Sequence, residues 1–146
     1  MIVTKLIGGL GNQLFQYAFA LHLGHIHNTE VLIDNSEFQE YKLHKYALAD
    51  FNIDEKYVTR EDVNKMVSHK EKYFYFDSNF KEIPDNVLLR GYWQSEKYFL
   101  EIKDKIIQNY SVKTELVGLN AEISKSIQNT NSVSIHIRRT DYLPNT

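Results

Sequence analysis

Ile2-Val3-Thr4-Lys5-Leu6-Ile7-Gly8-Gly9-Leu10-Gly11-Asn12-Gln13-Leu14-Phe15-Gln16-Tyr17-Ala18 is the stretch from which the fold of this chain is read. Ile2 to Ile7 is a short β-rich run, and the glycines that follow break it before a helix-like segment from about Asn12 to His27. Within that segment Leu14, Tyr17, Ala18, Leu21 and His25 recur at helical spacing on one face. Glu30 to Asp34 reads as the next strand. Strand, glycine turn, helix and strand in this order form a βαβ unit, whose parallel strands imply an α/β sheet. A Rossmann-like, three-layer α/β domain with a parallel sheet is therefore expected, with strands near Ile2, Val31, Val87 and Val133.

Further along, Arg60 to His69 predicts a short helix with Thr59 as N-cap. Tyr73–Phe76 and Val87–Tyr92 read as strands separated by a connection holding Pro84, which cannot donate to a ladder. From Ser95, placed as N-cap, the spacing of Phe99, Ile102, Ile106 and Tyr110 predicts a helix. A second helix is expected from about Thr114 to Gln128 on Leu116, Leu119, Ile123 and Ile127. The sequence shows no internal repeat and no low-complexity linker, so a single domain is the default.

With 146 residues, 42% hydrophobic and 13% aromatic, the chain has enough apolar surface for a packed core, which excludes a disordered chain. Seventeen Lys and Arg stand against nineteen Asp and Glu. That balance gives no global field to attract nucleic acid or anionic lipid, so any anion site is local. There is no cysteine, hence neither a disulfide framework nor a Cys-ligated zinc. Met1 to Ile7 carries no charged leader before a long apolar core, so neither signal peptide nor membrane span is expected. A cytoplasmic location follows as an expectation, with peripheral contact at the inner face of the membrane left open.

Two places carry candidate chemistry. In Ser132-Val133-Ser134-Ile135-His136-Ile137-Arg138, apolar and polar residues alternate, which predicts a strand with His136 and Arg138 on its polar face. Arg139 follows, so two guanidinium groups sit at the carboxyl end of an expected parallel strand, where open α/β sheets bind ligands. Arginine forks match phosphate oxygens two at a time, which suits a diphosphate, and Asp141 can orient one of them. Spacing alone leaves open the alternative of a solvated basic strand end. The second place is the glycine turn, whose Gly9 and Gly11 open a helix at its positive end, where backbone can approach a phosphate. Neither the dinucleotide nor the Walker fingerprint is satisfied, since Leu14 occupies the third glycine position and no Gly-Lys-Ser/Thr follows. Asn12 and Gln13 reach either a helix cap or a sugar hydroxyl. Gln16, like Gln13, reads as an ordinary exposed glutamine near a helix start.

Taken together, Gly8 to Ala18, Tyr46 to Ile53, Gly91 to Phe99 and His136-Ile137-Arg138-Arg139-Thr140-Asp141-Tyr142 resemble glycosyltransferase family 11. The resemblance implies the first half of a two-domain GT-B enzyme, an inverting and metal-independent α-1,2-fucosyltransferase that moves L-fucose from GDP-fucose to a galactoside 2-hydroxyl. It places the donor motif at 136–142. His136, Arg138, Arg139 and Asp141 are the donor-binding candidates, and Arg138 stabilises the leaving group. Thr140 stands where many members have glycine. The family continues beyond this motif into a second half. The resemblance therefore implies an incomplete chain without turnover of its own.

An inverting transfer needs the acceptor hydroxyl deprotonated and the departing nucleotide stabilised. His136 has suitable chemistry for the first task, but adjacent fixed positive charge weakens a histidine as a base, and no base is assigned. His22 and His25 have metal-ligand spacing without a completing carboxylate, and no Asp-x-Asp pattern occurs, so no metal and no cofactor beyond the donor substrate are expected. Two other classes remain as alternatives. One is a non-catalytic remnant or sugar- or nucleotide-binding module, and the other is a Rossmann-type oxidoreductase, which the failed fingerprint disfavours.

Overall fold

The computed structural model describes residues 1–40 and 43–137. Four strands form one parallel sheet: β1 (Ile2–Lys5), β2 (Val31–Asp34), β3 (Val67–Lys70) and β4 (Val87–Arg90), in the order β2-β1-β4-β3. The α/β class with an all-parallel sheet is thus as the opening βαβ pattern implies. Chain contacts divide the molecule into two compact units, Met1–Lys113 and Thr114 onward.

In the first unit, helix α1 (Leu10–His27) connects β1 to β2 and packs on one face of the sheet. Register places Ile2 beside Val31 and Val87, and Thr4 beside Ile33 and Leu89, so these six side chains share the face toward α1. The amphipathic stripe expected of α1 understates its burial. From Gln16 to Gly24 every residue is buried, as in a helix enclosed within a core. One side of it, Phe19 and Leu23, packs with Ile2, Leu89, Phe80 and Trp93, while Tyr17 and Leu21 pack with Leu6, Ile33, Leu48 and Ile106. Phe19 stacks on Trp93 at 4.6 Å between ring centroids and meets Tyr98 edge-on at 5.0 Å. On the opposite face of the sheet Val3 and Leu88 are equally buried, as parallel sheets require.

Local readings fail where tertiary packing competes with them. Helix α2 (Arg60–Lys65) is capped by Thr59, whose Oγ1 accepts from Asp62 N at 3.1 Å, but it ends early because Val67 to Lys70 is drawn out as strand β3. With that ladder position filled, Tyr73–Phe76 is no strand. Ser95 makes no capping bond, and the segment after it runs as two 3₁₀ turns, Glu96–Tyr98 and Leu100–Ile102, before helix α3 (Lys103–Asn109). The Tyr98 ring is wedged among Phe19, Phe76 and Phe80, and its carbonyl bonds His22 Nδ1 at 2.5 Å, an anchoring that outweighs helix propensity.

The second unit contains helix α4 (Leu119–Gln128), shorter than the span expected from Thr114. Ser132 to Ile137, expected as a strand, forms none. Val133, Ile135 and Ile137 are 87%, 82% and 73% exposed. Alternation marks a potential strand face, but a strand exists only with a ladder partner, and among the described residues these six have none. No helix of the described residues is long and apolar enough to cross a membrane.

One hydrogen-bonded network, centred on the half-buried Glu55, ties the loops of the first unit together. Glu55 accepts from Tyr46 Oη and Tyr57 Oη, both at 2.5 Å, and from Lys113 Nζ at 3.3 Å. Burial raises the Glu55 carboxyl, but these donors outweigh it and hold it below the usual carboxylate range. Because the folded value is depressed, the stabilisation is present above the unfolded carboxyl pKa and is lost as pH falls through the folded one. Glu55→Gln is expected to cost about 1–2 kcal/mol at neutral pH. The gap to wild type should close below about pH 4. Urea midpoints across that range test it.

Candidate functional site

In the sheet order β2-β1-β4-β3, the chain leaves β1 toward β2, so the carboxyl ends of β1 and β4 diverge and flank the switch point where open sheets take ligands. Two loops meet there: Leu6 to Gly9 after β1, and Gly91 to Gln94 after β4.

The first loop turns at Gly8, whose φ of +78° is left-handed and whose Cβ, if present, would lie 2.6 Å from Asn12 Nδ2. Gly9 is the N-cap of α1 with extended backbone, and a Cβ on it would make only ordinary contact with the His44 ring, 3.5 Å away. A Cβ on Gly11 would meet nothing within 4 Å. The steric demand of the turn therefore rests on Gly8, which the sequence reading passed over.

Gln13 is fully buried, not exposed. Its Nε2 donates to Gly8 O and to Lys45 O, both at 2.9 Å, and its Oε1 accepts from Ala47 N at 2.9 Å. All its hydrogen-bonding capacity toward a ligand is spent on the fold, apart from one lone pair. Gln16 is also fully buried and accepts from Ile7 N at 3.0 Å. Asn12 is no cap. It lies in the first turn of α1, and its Oδ1 accepts from Gln94 Nε2 at 2.6 Å, so the two loops are joined across the switch point.

The second loop is locked by Glu71, which the sequence reading did not single out. Its carboxylate accepts from Tyr92 N at 2.7 Å and Trp93 N at 3.0 Å. Gly91 makes room for it, since a Cβ there would sit 2.4 Å from Glu71 Cβ. Trp93, 2% exposed, has φ of +45°, a strained conformation for a bulky residue that the packing around it fixes. No sequence pattern announces a carboxylate that folds back onto a loop 21 residues later.

Between these loops a cavity of about 310 Å³ opens at the carboxyl ends of β1, β3 and β4. Lys5, Glu37, Lys70, Phe74, Arg90 and Tyr92 line it, with Glu71 in its wall. Lys5 Nζ pairs with Glu37 Oε1 at 2.6 Å. Lys70 and Arg90 are register partners on neighbouring strands, and among the described residues neither makes an ion pair. A larger hollow of about 410 Å³ by Thr29 and Glu30 lies at the amino end of β2, the end open α/β sheets do not use.

His136 lies exposed in the segment without strand pairing in the second unit. Arg138, Arg139 and Asp141 lie outside the described residues. Among the described residues no three of His, Asp and Glu are grouped to hold a metal ion. His22 is 1% exposed and bonded to Tyr98 O, and His27 Nε2 meets Ile83 O at 2.8 Å, so both serve the core.

A parallel α/β unit with a cavity of charged and aromatic side chains at its switch point is the class of domain that takes small ligands at that edge. The profile of Glycosyl transferase family 11 matches residues 1–146, and the chain belongs to that family. Its parallel α/β architecture agrees with a GT-B-like fold. An alpha-1,2-colitosyltransferase of Escherichia coli is 34% identical over 99% of this chain and 56% of its own length. The O-antigen biosynthesis glycosyltransferase WbnK of Escherichia coli is 26% identical over 96% of this chain and 59% of its own length. The chain thus spans somewhat more than half the length of these curated relatives. No solved structure matches it.

Gln13→Ala would strip partners from three partly buried backbone groups and is expected to destabilise the fold by about 2–4 kcal/mol. Gln13→Glu turns a carboxylate oxygen toward two carbonyls. Its folded pKa should be raised, so its stability should fall further as pH rises from about 5 to 8. Thermal unfolding of both variants across that range checks the pair.

Proposed function

We propose that the complete protein is an inverting glycosyltransferase that moves L-fucose from GDP-fucose to the 2-hydroxyl of a galactoside, without a metal ion. The observation that carries this reading is the membership of residues 1–146 in Glycosyl transferase family 11, together with the unbroken run His136-Ile137-Arg138-Arg139-Thr140-Asp141-Tyr142. The acceptor oxygen attacks the anomeric carbon of fucose as the bond to the β-phosphate oxygen breaks. The acceptor proton leaves to a base, and GDP departs with the bonding pair. Negative charge grows on the phosphate, where a guanidinium fork offers two charge-assisted bonds at once. Arg138 and Arg139 are assigned to that diphosphate, with Asp141 orienting one of them. His136 is assigned to the donor side, and no base is assigned. The enzyme is assigned to the cytoplasm, with peripheral contact at the inner face of the membrane left open.

The similarity to an alpha-1,2-colitosyltransferase favours one competing donor, a colitosyl nucleotide with the same linkage. Initial rates of the full-length protein with each donor and lactose as acceptor decide between them.

Arg138→Ala in the full-length protein should lower kcat by about 10²- to 10³-fold, the usual loss when one preorganised donor to a developing oxyanion is removed. Arg138→Lys should recover little, since a point charge does not reproduce the fork. Arg139→Ala should have the smaller effect. Steady-state kinetics, with folding checked by circular dichroism, measures all three. Near wild-type turnover and donor affinity in folded variants would place the diphosphate elsewhere.

A further inference from the structure

We infer that the cavity at the carboxyl ends of β1, β3 and β4 binds the acceptor's galactose ring; this rests on the transferase reading above and names the acceptor site within it. The walls of the cavity select the ligand. Phe74 and Tyr92 offer aromatic surface, and Phe74 is 92% exposed, an exposure for which the core gives no reason. A pyranose presents a patch of C–H bonds on one face that covers such a ring, with hydroxyls around its edge.

The edge is matched by charge of both signs. Lys70 and Arg90 stand side by side in register on β3 and β4. Like charges so placed destabilise a sheet unless something lies between or over them. Glu37 is held by Lys5 at 2.6 Å and keeps lone pairs to accept from a hydroxyl. An anionic ligand would satisfy the two cations but face Glu37 and Glu71 in the same wall. A neutral polyol, which donates and accepts at each hydroxyl, uses both. At about 310 Å³ the cavity is at the small end of ligand pockets, which run about 300–1,000 Å³, and suits one or two sugar rings better than a whole nucleotide sugar.

The floor is rigid where a specificity site must be. Glu71 fixes the backbone of Tyr92 and Trp93, and the Asn12–Gln94 bond ties that loop to the start of α1. Phe74 and Arg90 are exposed, so replacing them leaves the core intact.

The test uses the full-length protein and its Phe74→Ala and Arg90→Gln variants, with folding checked by circular dichroism. Binding of lactose without donor is followed by saturation-transfer NMR, and steady-state kinetics give KM for lactose and for donor separately. Both variants should raise the lactose KM about tenfold or more, the loss of a contact to a charged group or an anchoring ring. They should abolish the lactose NMR signal and leave the donor KM within about twofold. Lactose affinity unchanged in both folded variants overturns the inference while leaving the transferase reading in place. So does a rise confined to the donor KM, or displacement of bound lactose by pyrophosphate through Arg90. A wild type that binds no galactoside overturns it too. If neither fucosyl nor colitosyl transfer occurs, but lactose binds wild type and neither variant, the donor reading falls and this site stands.

Discussion

The three hydrogen bonds of the Gln13 carboxamide are the constraint on which the carboxyl edge depends. That one group, buried in the first turn of α1, holds the carbonyl of Gly8 and backbone of Lys45 and Ala47, which come from a loop more than thirty residues later. Buried backbone groups need partners, and the start of a helix has no intrahelical ones to give its neighbours. A single amide with donors on one side and an acceptor on the other settles the account. Gln16 does the same for Ile7 N. The left-handed turn at Gly8 carries the chain from β1 to α1 while Gln13 stays inside.

From that anchor the second loop follows. Asn12, one residue before Gln13, is fixed by the same turn, and its contact with Gln94 sets the distance between the two loops. Glu71 approaches from the end of β3 and takes two backbone donors that a strained loop would otherwise bury or leave to water. The stacking of Trp93 on Phe19 offsets the cost of its positive φ, on the order of 1–3 kcal/mol. Strain that is fully supported by packing is a rigid support for Tyr92 beside it, and rigidity at a binding edge reduces the entropy lost on binding.

The sequence made legible what depends on local pattern. The βαβ opening follows from a β-rich run, a glycine break and helical spacing, and Thr59 caps α2 as its residue type implies. What depends on partners distant in sequence was not legible. Ser132 to Ile137 alternates as a strand should, yet pairing is a property of two segments and cannot be read from one. Tyr98 sits in a segment with helical spacing, but three aromatic neighbours and the His22 bond hold it in a 3₁₀ turn. Gln13 and Gln16 looked like exposed polar residues because polarity is a poor guide to burial when a side chain has carbonyls to satisfy. The arginine motif was recognised from residue order and not from geometry. Arg138, Arg139 and Asp141 lie outside the described residues.

The two candidate regions place different physical demands on the chain, and this explains why their residues differ. On the proposed reading, a diphosphate whose charge increases in the transition state calls for fixed, undiluted positive charge, which the adjacent Arg138 and Arg139 would supply. A neutral sugar gains nothing from net charge, because its hydroxyls must exchange good bonds with water for equally good bonds with protein. Charge of both signs in one wall, Lys5, Lys70 and Arg90 with Glu37 and Glu71 among them, supplies strong donors and acceptors, and the two carboxylates dilute the positive field that would draw in phosphates. Aromatic surface beside them adds the part of the affinity that water does not contest. On the inferred reading, a cavity so composed would keep the acceptor's place from being filled by the donor, a separation that a two-substrate transfer requires.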